Sequence, residues 1–117
     1  MKLIFVGGPY AAPTAAGIEA NIQRCERLAL KVIALDCGVV CQNSMGRPWD
    51  GEDPTLDQVM ASAKLVLSRC DALIVAEGWQ NSTGTKQEIV EADNLGLPIL
   101  YSIEELKVYL DGVHQPA

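Results

Sequence analysis

The chain has 117 residues, 49% of them hydrophobic but only one a Phe, which suits a single domain built on one aliphatic core. Its formal charge of −6, with no run of Lys and Arg to offset it, repels phosphate backbones and argues against nucleic acid as a partner. Cys25, Cys37, Cys41 and Cys70 show no CxxC spacing and His114 is the only histidine, so neither a metal site nor a disulfide framework is signalled.

The thiols are expected to be reduced and largely buried, and no cofactor motif stands out. No apolar run reaches 18 residues, so a membrane partner is not expected, and a soluble, cytoplasmic protein is the default expectation.

In chain order, Lys2 to Val6 reads as a short apolar strand stopped by Gly7, Gly8 and Pro9. Ile18, Ile22, Cys25, Ala29 and Val32 recur at steps of four and three, an apolar stripe on a helix whose other face carries Glu19, Gln23, Glu26 and Arg27. Val39 to Cys41 predicts a second strand. Residues 44–54 are rich in Gly, Pro and acid around Trp49, the composition of a functional or lid-like loop.

A second helix follows, with Leu56, Val59, Met60, Ala63, Val66, Leu67 and Cys70 on one face. Ala72 to Ala76 is the strongest strand; a helix from about Thr83 to Leu95 is closed by Gly96, and Leu97 to Tyr101 forms the next strand. Ser102 and Glu105 make a capping box for a last helix carrying Ile103, Leu106 and Leu110, with a frayed tail expected from Gly112.

Alternating strands and helices with short connections predict an α/β fold: a single-domain, flavodoxin-like or Rossmann-like three-layer sandwich, with a parallel sheet of four to five strands and helices on both faces. Right-handed crossovers favour the order 2-1-3-4. In such a sheet the ligand crevice lies beyond the carboxyl ends of the strands, where strand order reverses. Three segments converge there: Gly7 to Tyr10, residues 42–49 with Asn43 and Trp49, and Glu77 to Gly84 with Trp79 and Ser82. The mixture of glycines, a phenol, amides, indoles and hydroxyls suits a small polar ligand with a flat ring.

Gly7 and Gly8 lack the spacing of a dinucleotide or Walker loop and read equally as a plain turn. Ser82 to Thr85 is either an anion-binding helix start or a simple N-cap. Glu88 also has two readings. With Thr85 it fits a capping box, yet it shares a helix stripe with Ala92 and Leu95, the face expected to lie on the sheet. Trp49 and Trp79 are stacking surfaces or loop anchors, and the Tyr10 hydroxyl can bond a ligand or a carboxylate.

The segments GGPY, CDALIVAEGW and NSTGTKQEIVEA together resemble the nucleoside 2-deoxyribosyltransferase-like superfamily, and in particular small phage and bacterial members with a GWxxSxGxxxE signature, matched here from Gly78 to Glu88. The resemblance spans about Lys2 to Tyr101. It implies that Glu88 is a nucleophile toward the anomeric carbon of a deoxyribosyl group, that Tyr10 positions it, and that Ser82 helps bind sugar or phosphate.

The chemistry implied is that of a retaining glycosidase, with a second carboxyl group assisting the departing base. Here the sequence departs from the pattern. The place of the second carboxylate, eight residues before Asp71, is taken by Ala63, leaving Asp50, Asp53, Asp57 or Glu77 as substitutes.

Three readings follow: an enzyme cleaving or transferring N-glycosidic bonds of nucleosides or nucleotides, a non-catalytic nucleotide-derivative binder, and an interaction protein with a vestigial pocket. Homodimerisation is implied by the resemblance.

Overall fold

A computed structural model of the chain describes residues 1–41 and 56–114, with the side chains of Leu56, Val113 and His114 left aside. The elements are β1 (Leu3–Gly7), α1 (Ala15–Ile33), β2 (Gly38–Cys41), α2 (Leu56–Ser68), β3 (Ala72–Val75), a 3-10 turn (Trp79–Asn81), α3 (Thr83–Asn94), β4 (Ile99–Leu100) and α4 (Ile103–His114). All strand pairs are parallel, and the order is β2-β1-β3-β4, as the crossover argument predicts.

The period-two alternation of a strand sorts side chains between two layers. Ile4, Val6, Ile74 and Ala76 point to one face, where they pack with Cys25, Ala29 and Val32 of α1 and Leu106 of α4. Phe5, Leu73 and Val75 point to the other, against Leu67 at the end of α2, Cys70 just beyond it and Ala92 of α3. The sheet is thus covered on both faces, which is why its strands read as continuous apolar runs. Asp71 ties the two central strands together at their start: its Oδ2 accepts from the Leu3 amide at 2.8 Å, and its own amide donates to the Leu3 carbonyl.

Some boundaries differ from the sequence reading. Strand β4 is two residues, because Gly96 with φ 72° ends the α3 turn and Pro98 offers no amide to the ladder; the Pro98 carbonyl accepts from Leu73 instead. Helix α4 runs to His114, past the Gly112 at which the tail is expected to begin, and residues 115–117 of that tail lie outside the described residues. Two residues placed on buried stripes lie outward: Val59 is 41% exposed, and so is Leu95 at the C-cap of α3. Among the described residues no helix is long and apolar enough to cross a membrane.

Candidate functional site

Strand order reverses between β1 and β3, since β1 sends its chain to β2 on one side and β3 to β4 on the other, and this is where a parallel sheet of this kind places its ligand site. Gly7, the last residue of β1, pairs with Val75 and faces the α3 layer. A methyl group there would stand 3.0 Å from Oε1 of Glu88 and 3.6 Å from its carboxyl carbon. The missing side chain leaves the space that the Glu88 carboxyl occupies. Gly8 faces the other way: a Cβ on it would stand 2.6 Å from Sγ of Cys25 and 2.9 Å from Cβ of Ala76, so α1 and β3 close tightly over it.

Glu88 arrives at Gly7 because of how α3 begins. Ser82 is the N-cap; its Oγ accepts from the Thr85 amide at 3.2 Å and from the Thr85 hydroxyl at 2.8 Å. The Thr85 side chain is 1% exposed, and this bond satisfies it. Thr85 and Ala92 then define the sheet-facing stripe, with Glu88 between them. The capping-box alternative for Thr85 and Glu88 is excluded, because Thr85 is the third helical residue and the cap is Ser82. With two bonds accepted, the remaining hydrogen-bonding capacity of Ser82 is donation of its own hydroxyl proton. Gly84 is exposed in the same first turn, with open space above it.

Burial raises the Glu88 carboxyl from 4.5 to about 8. Desolvation is the cause, and no neighbouring cation among the described residues offsets it. At neutral pH most of this residue carries its proton.

The other residues singled out by sequence take diverse places. Tyr10 is half-buried in the loop after β1, where its carbonyl and that of Ala11 accept from the Asn21 side-chain amide at 3.1 and 3.3 Å. Trp79 packs on the α3-side core and tilts against Tyr101, with ring centroids 5.2 Å apart, so it serves at least as a loop anchor. Asn43 and Trp49 lie outside the described residues, as do Asp50 and Asp53.

Of the substitute acids that are described, Asp57 and Glu77 are both exposed. Ala63 is half-buried on α2, next to the Lys64–Glu91 ion pair, 3.6 Å long, that joins α2 to α3.

The four cysteines are free, with Cys25, Cys37 and Cys70 buried. Burial, with a smaller contribution from Asp71, pushes the Cys70 thiol up to about 11, and burial also raises Cys37, so neither is a nucleophile at neutral pH. Among the described residues no group of His, Cys, Asp and Glu side chains is arranged to hold a metal ion.

Residues 29–101 match the family described as a domain of unknown function, DUF4406. The chain belongs to the DUF4406 family. No curated protein matches it. The DUF4406 segment runs from the last turns of α1 to the residue after β4, so it contains Trp79, Ser82, Gly84 and Glu88, while Gly7, Gly8 and Tyr10 precede it.

Sequence reasoning passed over Asn21 and Tyr101. The first was one polar residue among several on α1, and the second read as a strand end. Only tertiary structure shows that each pins a crevice loop.

Proposed function

We propose that this protein cleaves or transfers the N-glycosidic bond of a nucleoside or nucleotide, with Glu88 as the nucleophile. The observation that carries the reading is the Glu88 carboxyl, held against the bare backbone of Gly7 at the sheet's reversal point and largely, not fully, withdrawn from water. A capping role would not require that placement. The resemblance to the nucleoside 2-deoxyribosyltransferase-like superfamily supplies the chemistry.

In that chemistry a Glu88 oxygen bonds to the anomeric carbon as the carbon–nitrogen bond breaks, and the electron pair leaves with the base, which takes up a proton. Water, or a second base in the transfer reaction, then releases the sugar from Glu88. Ser82 presents its hydroxyl proton, and Gly84 an open helix start, to the sugar or its phosphate. Tyr10, Gly8 and Trp79 line the same strand ends, and Asn43 and Trp49 belong to this reading through their sequence positions.

Incubating the protein with a panel of deoxynucleosides and their 5′-monophosphates should release free base, detected by chromatography, and Glu88→Gln should abolish the release. No base from any member of the panel would refute the reading.

Ala63 favours a second reading, a nucleotide-derivative binder that lacks the proton donor. Saturable binding by calorimetry with no turnover is its expected signature. The superfamily resemblance also supports a homodimer in the cytoplasm, and light scattering on the eluting protein tests the dimer.

A further inference from the structure

A concavity lies on the α1 and α4 side of the sheet, away from Glu88. It is an open groove of about 580 Å³ between α1 and the start of α4, floored by Val75 and Ala76 at the end of β3. One wall carries Arg24, Arg27 and Lys31, spaced three and four residues apart on α1, so that one helix face presents all three cations. The other wall is the first turn of α4, with Ser102 as its cap: the Ser102 oxygen accepts from the Glu105 amide at 3.1 Å.

Two carboxylates, Glu77 and Glu104, also line the groove, leaving it one positive charge in excess. In a chain of net charge −6, that is a local reversal of sign. None of these five side chains has an ion-pair partner among the described residues; the salt bridge found there, between Lys64 and Glu91, lies on the other face.

Arg24 is held in place. Its Nη1 donates to Oδ1 of Asn21 at 3.2 Å, and Asn21 in turn donates to the Tyr10 and Ala11 carbonyls. The same nitrogen would be 3.9 Å from a Cβ on Gly78, whose φ of 88° turns the chain just after β3. The guanidinium therefore stands at the mouth of the groove with most of its donors unspent among the described residues.

We propose that this groove binds the phosphate group of a small phosphorylated molecule, with Arg24 and Arg27 as the principal donors and Lys31 completing the cradle. Planar, forked donors match phosphate oxygens, and the volume leaves room for more of the ligand than its phosphate. The proposal does not depend on Glu88 acting as a nucleophile.

The test is an amide chemical-shift titration of the full chain at low salt, with inorganic phosphate, pyrophosphate, deoxyadenosine 5′-monophosphate and deoxyadenosine. The three phosphate compounds should shift the amides of Ala76, Glu77 and Ser102 to Glu105, separately from any shifts at Ser82 to Thr85, and at these groove amides the monophosphate should titrate about tenfold or more tightly than the nucleoside. Arg27→Glu, on an exposed helix position, should weaken the monophosphate by a similar factor; Lys107→Ala, an exposed α4 lysine outside the groove, should not.

Equal binding of nucleoside and monophosphate, shifts confined to Thr83 to Thr85, or full binding by Arg27→Glu would each overturn the proposal. Glu88→Gln should retain phosphate binding while losing base release, so the two readings fail separately.

Discussion

Replacing Glu88 by Gln should make the protein more stable at alkaline pH and flatten the dependence of its stability on pH. The unfolded chain holds this carboxyl near 4.5 and the folded chain near 8, so between those values the folded state binds the extra proton. Stability therefore falls as pH rises through that window; the full penalty is present above about pH 8 and absent below about pH 4.5.

The whole displacement corresponds to about 5 kcal/mol as an upper bound. Glu88 is only partly covered, and water at its exposed edge reduces this to about 2–3 kcal/mol. In a chain of this length each kcal/mol moves the melting temperature by about 3–5 °C. Thermal or urea unfolding of both proteins from pH 5 to pH 9 measures the difference, and other titrating groups cancel because the two chains share them. Parallel curves for the two proteins would refute the desolvated placement of Glu88.

Further substitutions probe the frame around that carboxyl. Gly8→Ala should cost about 1–3 kcal/mol in denaturant unfolding, because its methyl would collide with Sγ of Cys25 and Cβ of Ala76. Ser82→Ala removes the cap of α3 and leaves the buried Thr85 hydroxyl without its acceptor, a loss of about 2 kcal/mol in the same assay. Asp71→Ala should cost about 1–2 kcal/mol and speed amide exchange at Leu3, whose N–H loses its acceptor.

The fold was legible because its determinants are local. Ile4, Val6, Ile74 and Ala76 against Phe5, Leu73 and Val75 is a period-two pattern that any covered parallel strand shows, and of the α1 stripe read as Ile18, Ile22, Cys25, Ala29 and Val32 all but the half-buried Ile18 are buried. The helical stripes failed where a helix meets its end, as Leu95 does.

At the site, the sheet-facing position of Glu88 followed from helix spacing with Ala92. Its neighbour Gly7 could be placed only by the strand pairing that brings residues 7 and 88 together. The basic groove shows the same limit more sharply. Arg24, Arg27 and Lys31 are not a run in sequence, and they become a cluster only through the helical turn and the approach of α4.

For the proposed reaction, Ala63 and the protonated state of Glu88 bear on one question, namely where the proton for the departing base would originate. In a paired-carboxylate site each charge raises the proton affinity of the other, so one group rests as the acid and the other as the nucleophile. Here burial alone holds a proton on Glu88, and no second carboxyl stands at position 63. A nucleophilic Glu88 must first lose that proton, so kcat/KM for base release should rise with pH up to about 8 and then level. A Glu88 acting instead as the acid would give the mirror image, with activity lost as pH rises through the same value. The nucleophilic assignment thus requires the ascending limb, and it requires that Glu88→Gln abolish the limb together with the activity; a descending limb would transfer Glu88 to the acid role that Ala63 leaves open.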